Sequence, residues 1–130
     1  MSANVIFDRP TDTIAVARFA RPDLREALDD HGHAHDDIGN SVLYQELHAG
    51  AIAGLSDGGA LVLNFGLVDV FVSAFFRLLI RAREDLKPKG GRLLLCGFSA
   101  HGQEAFALMG GPKTFEVFTT EPRAVAAAKK

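Results

Sequence analysis

Residues 60–76 read Ala60-Leu61-Val62-Leu63-Asn64-Phe65-Gly66-Leu67-Val68-Asp69-Val70-Phe71-Val72-Ser73-Ala74-Phe75-Phe76, and a change of period inside this stretch decides the fold. The first six residues are almost continuously apolar, the pattern of a strand covered on both faces. From Ser73 the spacing turns helical. Phe75, Phe76, Leu78, Leu79, Ala82 and Leu86 make one broad apolar face, while Arg77, Arg81, Arg83, Glu84 and Asp85 hold the solvent side. Ser73 is the N-cap candidate, its hydroxyl placed to accept a backbone N–H. Lys87-Pro88-Lys89-Gly90-Gly91 then supplies both residue types that end helices.

Outward from this unit the alternation continues. Arg92–Cys96 is a second apolar strand, and Ser99 caps a helix through Phe106 to Met109 that Gly110-Gly111-Pro112 closes. Thr114–Phe118 predicts a short strand, and Thr120 caps a last helix with Pro122 in its first turn, where a missing N–H costs little. Upstream, a helix begins at Asn40 or Ser41 and places Leu43, Leu47, Ala51 and Leu55 on one face. Gly50 and Gly54 weaken it, and Asp57-Gly58-Gly59 stops it. Val5–Phe7 and Ile14–Phe19 predict a hairpin around Pro10-Thr11-Asp12. Leu24–Leu28 has the makings of a short helix, and the polar segment at about 29–40 is expected to be a surface loop. Strands alternating with helices imply parallel pairing and right-handed crossovers. The expected fold is a single α/β domain over 1–130: a mixed sheet, made so by the N-terminal hairpin, with about four helices packed against it.

Composition excludes several functions. The chain has 130 residues, 48% hydrophobic and 23% charged, the balance of one globular domain. A net charge of −2 offers no basic footprint for nucleic acid. A single cysteine, Cys96, rules out an internal disulfide framework and suits a reducing compartment. The N-terminal residues lack the pattern of a secretory signal. The most apolar run, Val68–Ile80, is broken by Asp69 and Arg77 and falls short of the ~20 residues of a membrane span, so no direct membrane insertion is expected. The expectation is a cytoplasmic protein.

The ordered set of segments resembles the STAS domains of anti-sigma factor antagonists. Leu61–Phe76 is similar to their "DLSGVxFIDSSGL" turn, Gly90–Ser99 to "GGRLVLVGLS", and Phe115–Ala124 to "LFxIFDTEEEA". The likeness covers roughly the last seventy residues in the right order. It implies a STAS-like sheet and a non-catalytic regulator that binds an anti-sigma factor or a related GHKL-type kinase through the Val72–Phe76 turn and the helix face carrying Arg77 and Arg81. In typical members a serine or threonine in the turn is phosphorylated by a kinase that doubles as an anti-sigma factor. A phosphate adds nearly two negative charges at the contact surface and breaks docking there.

At this turn the sequence departs from the pattern. The family's Asp-Ser-Ser-Gly falls on Val72, Ser73, Ala74 and Phe75, so the usual acceptor is Ala74, which has no hydroxyl. Ser73 is then either a displaced phosphoacceptor or a helix cap. Phe75 is either an exposed aromatic anchor for the partner or a core residue. The partner-binding candidates are therefore Val72, Ser73, Ala74, Phe75, Arg77 and Arg81. Two other readings stay open: a STAS subunit of a larger assembly, such as one docked on a transporter ATPase, and a small-ligand or metal sensor. A homodimer is compatible with each.

Remaining motifs carry less. His31, His33 and His35, flanked by aspartates, have ligand chemistry for zinc or nickel, but spacing of two in a Gly-containing segment builds no fixed geometry. Gly97–Gly102 sets Ser99 near His101 without forming Gly-x-Ser-x-Gly, so Ser99 reads as a cap. Gly110–Thr114 lacks the first half of a phosphate-binding loop. No catalytic residue and no cofactor are expected.

Overall fold

The structure, a computed structural model, describes residues 4–28 and 38–130. Five strands form one sheet in the order β1-β2-β3-β4-β5: β1 Val5–Thr11, β2 Ile14–Phe19, β3 Ala60–Asn64, β4 Arg92–Cys96 and β5 Glu116–Phe118. β1 runs antiparallel to β2, and every later pairing is parallel. The helices are α1 Val42–Leu47, α2 Ser73–Leu86, α3 Ala100–Leu108, α4 Gly111–Thr114 and α5 Glu121–Ala128.

Side-chain alternation along the strands explains their unbroken apolarity. Ala15, Ala17, Phe19, Leu61, Leu63, Leu93 and Leu95 join the larger core cluster with Leu43, Leu47, Phe75, Leu78, Leu79 and Phe106 of α1, α2 and α3. Ile14, Val16, Ala60, Val62, Leu94 and Cys96 point the other way and pack on Ala124 of α5. A sheet covered on both faces has no polar side to its central strands.

Ser41, Ser99 and Thr120 each cap a helix as the sequence indicates, accepting from the N–H of Tyr44, Gly102 and Arg123. Four local expectations are corrected. Ser73 is not the N-cap of α2. Val72 holds the extended cap backbone, its side chain packs against the core, and Ser73 is already the first helical residue. The first long helix breaks its period: α1 continues as a π-helical turn over His48–Ile52, where a methyl group at Gly50 would lie 2.2 Å from the Phe7 ring. Gly111–Thr114 forms α4 instead of a plain break, which delays β5 to Glu116 and makes five α-helices among the described residues. Leu24–Leu28 makes one turn only, closed by Leu28 N–H donating to Leu24 O at 3.0 Å, though both leucines are buried.

Lys89 crosses to the end of the π turn, where its ammonium donates to the carbonyls of Ile52, Ala53 and Leu55 at 2.8, 3.2 and 3.0 Å. A cation there satisfies carbonyls the helix leaves without partners. Among the described residues no helix is long and apolar enough to cross a membrane. The His/Asp-rich segment lies outside the described residues.

Candidate protein-binding site

The turn between β3 and α2 is fixed at both ends by backbone bonds. Phe65 N–H donates to Cys96 O at 2.9 Å, and Val68 N–H donates to Phe65 O at 3.0 Å. Asp69 and Val70 N–H groups both donate to Pro22 O, at 2.9 and 3.2 Å, which ties the turn to the segment after β2. Phe75 N–H donates to Val72 O at 2.9 Å and starts the helix.

Beneath the turn, eight of the ten phenylalanines touch one another. Phe75 belongs to this cluster and has no exposed surface. Its ring stands edge-on to Phe19 at 5.2 Å and Phe65 at 5.4 Å, and stacks on Phe71 at 5.5 Å between centroids. This overturns its reading as an exposed anchor: the rings of Phe19 and Phe65 make an apolar socket, and burying a large aromatic there is worth more than presenting it to water. Phe76 is half-buried against Phe106 and Phe115.

The outer surface belongs to other side chains. Ser73 and Arg77 are exposed, and Val72 and Ala74 are half-buried. Leu67, at 60% exposure, and Asp69 are exposed on the loop that leads into α2. Among the described residues Arg77 has no ion-pair or hydrogen-bond partner. Arg81 is differently placed. Its Nε donates to Asp85 Oδ2 at 3.2 Å, and its guanidinium lies 5.5 Å from the Tyr44 ring centroid. The Tyr44 hydroxyl donates to the same Asp85 carboxylate, and burial together with that bond raises the phenol above its ordinary range. These groups, with Gly39, Gln45 and His48, line an open cleft of about 320 Å³ between α1 and α2.

The structure therefore gathers Val72, Ser73, Ala74 and Arg77 on one surface, withdraws Phe75 beneath it, and engages Arg81 with α1. Leu67 and Asp69 share the surface but escape sequence reasoning, because a loop gives no period from which to infer exposure. Asn64 escapes it too, although a lone polar residue ending an apolar strand is a usable signal.

The remaining motifs resolve structurally. Ser99 Oγ accepts from Gly102 N–H at 3.0 Å, as a cap does. Cys96 is buried, and burial, reinforced by the charge of Glu121, pushes its thiol up to about 12, which keeps it protonated and unreactive. His31, His33 and His35 lie outside the described residues, among which no group of three His, Cys, Asp or Glu side chains is placed to hold a metal ion.

No family model matches the chain. It is 31% identical over 91 residues to a Bordetella bronchiseptica protein named as an anti-sigma factor antagonist, BtrV, covering 69% of this chain and 78% of that one. A STAS domain protein from Planctomyces limnophilus, described as an anti-sigma-factor antagonist, superposes with a TM-score of 0.68 at 17% identity, over 98% of this chain and 100% of its own. The antagonist SpoIIAA superposes in its unphosphorylated form with a TM-score of 0.62 at 19% identity, over 96% of each chain. Its phosphorylated form from Bacillus gives 0.59 at 18%, over 95% and 97%. The structural likenesses show the fold, and the sequence likeness shows kinship.

Proposed function

This chain belongs to the anti-sigma factor antagonists, a family of STAS-domain proteins, and from that premise we propose that it acts in the cytoplasm by binding an anti-sigma factor of the GHKL kinase type. The docking surface is the β3–α2 turn with the first turns of α2. One observation carries this reading: Leu67 on the β3–α2 loop and Ser73 and Arg77 on the first turns of α2 are all exposed, above a buried aromatic cluster that packs beneath the loop. An apolar side chain beside a cation that no described residue pairs is a surface suited to another protein, and a preformed loop lowers the entropy cost of docking.

Regulation by phosphate takes an altered form in this reading. Ala74 stands where the family's acceptor serine is expected, so Ser73 is the hydroxyl left for a kinase to modify. Its side chain is exposed at the first residue of α2, four residues before Arg77. A phosphate there would replace a neutral contact with about two negative charges.

Affinity capture from native lysate, read by mass spectrometry, tests the reading with wild type, Leu67→Asp and Arg77→Glu. Recovery of a kinase-fold anti-sigma factor by wild type and its loss with either variant is the supporting outcome. Equal recovery by all three removes the turn as the interface. Recovery of a transporter ATPase or scaffold subunit in its place moves the function to assembly, and recovery of this chain alone moves it to a homodimer.

A further inference from the structure

Asn64 is the only polar residue in β3 and stands where the sheet passes into the turn. Its carboxamide is used at both ends. Oδ1 accepts from Gly66 N–H at 2.7 Å, and Nδ2 donates to Glu121 Oε1 at 2.9 Å. Glu121 opens α5, on the opposite face of the sheet from α2. Arg18 holds that carboxylate through two bonds, Nε to Oε1 at 2.8 Å and Nη2 to Oε2 at 2.7 Å, and its Nη2 also reaches Asp8 Oδ2 at 3.3 Å. Arg18 and Asn64 are register partners on neighbouring parallel strands, so the sheet itself sets their separation.

Two glycines make room for the carboxamide. Gly97 takes a positive φ of 80°, and a methyl group there would fall 2.6 Å from Asn64 Oδ1 and 3.1 Å from Gly66 N. A methyl group at Gly66 would fall 3.0 Å from the same oxygen. The orientation of the amide is also determined. Rotated by half a turn, it would set Nδ2 against the Gly66 N–H and Oδ1 against the Glu121 carboxylate, two repulsions in place of two bonds. The carboxylate of α5 therefore selects the amide orientation that grips the turn.

We propose that Asn64, oriented by Glu121 and Arg18, is a positioning residue for the β3–α2 turn, so that α5 sets the geometry of the partner surface. The proposal rests on the turn being that surface, yet its test needs no partner. Amide hydrogen exchange at residues 65–72 is compared with exchange at the central residues of β3 and β4, in wild type, Asn64→Asp, Glu121→Ala and the double variant Asn64→Asp/Glu121→Gln. Asn64→Asp keeps an acceptor for Gly66 but faces Glu121 with a like charge. Glu121→Ala touches the turn only through Asn64. In the double variant the two groups exchange roles: a carboxamide at position 121 can donate to a carboxylate at position 64 while its carbonyl still accepts from Arg18 Nη2, at the loss of the bond from Arg18 Nε.

Exchange in the turn is expected to rise about tenfold in both single variants, beyond any change in the strands, as loss of one ordinary hydrogen bond implies. The double variant is expected to recover most of it. Turn exchange that matches wild type in Glu121→Ala, or that merely follows the strands, overturns the proposal. The same proteins in the capture experiment separate the two readings. Loosened turns with unchanged capture leave the relay standing and remove the turn as interface. Tight turns with lost capture do the reverse.

Discussion

Phe75 occupies a position where the related pattern has glycine, and the molecule absorbs it by enclosing it between Phe19, Phe65 and Phe71. Phe75→Ala would empty that socket, and a loss of about 3–5 kcal/mol in urea-induced unfolding is expected. Ser73→Ala, two residues away, is expected to change stability by no more than about 0.5 kcal/mol, because its hydroxyl is exposed and caps nothing. Ser99→Ala, which removes a hydroxyl that does accept a helix N–H, is expected to cost about 1 kcal/mol in the same measurement. The contrast among these residues marks what a sequence carries at this scale. Ser99 and Thr120 are legible as caps because the pattern is local. Phe75 is ambiguous because Phe19, one of the rings that bury it, comes from β2, far away in the chain, and Phe65 reaches it only because the turn after β3 folds back. The helix start at Ser73 differs from expectation by one residue, since Val72 can hold the extended cap backbone while its side chain serves the core.

Among the elements, α1 and its π-helical continuation depend on contacts supplied by others. Lys89, in the short 3-10 turn Lys87–Lys89, binds three carbonyls at that helix end. Lys89→Met keeps most of the aliphatic length and removes the donors, and it is expected to destabilise by about 1–2 kcal/mol, with the loss of amide protection concentrated at 50–56. In the sequence Lys87–Gly91 reads as a helix stop, which it is, but nothing local shows that one of its side chains caps a different helix. The edge strand β1 shows a related economy. Glu46 of α1 accepts from Val5 N–H at 2.8 Å and Asn4 N–H at 3.1 Å, and Asp8 Oδ1 accepts from Arg9 N–H at 2.8 Å. These side chains occupy backbone donors that another strand would need, which protects the edge from pairing with a second sheet. The alternation of strands and helices after residue 60 is readable because burial on both faces leaves an unmistakable apolar run. The π turn is not, because the ring that packs against its Gly50, Phe7, belongs to β1, far away in the chain.

For the molecule as a whole, the polar contacts between α5 and the sheet make stability depend on acid. The Arg18 guanidinium holds the Glu121 carboxyl below its ordinary value of 4.5, with the Asn64 amide contributing in the same direction against partial burial. A carboxyl depressed in the folded state stabilises above the unfolded value, and the contribution disappears as pH falls through the folded one. Melting temperature followed from neutral pH downward is therefore expected to drop more steeply below 4.5 in wild type than in Glu121→Gln. A parallel descent of both proteins would mean that other carboxylates govern the acid limb. The sheet order, the hairpin and the family are all legible from the chain alone, since they rest on periodicity and ordered segments. The polar relay is not, because Arg18, Asn64 and Glu121 are brought together only by strand register and by the last helix. The contact between Tyr44 and Asp85 has a practical consequence as well. The chain contains one tyrosine and no tryptophan, so its ultraviolet emission reports on a single phenol. A carboxylate bonded to that phenol, with a guanidinium over its ring, quenches the excited state by drawing off its proton. The native protein is therefore expected to be dim and the unfolded chain bright, so that a ligand pulling Arg81 or Asp85 away from α1 would announce itself as light, with no dye attached.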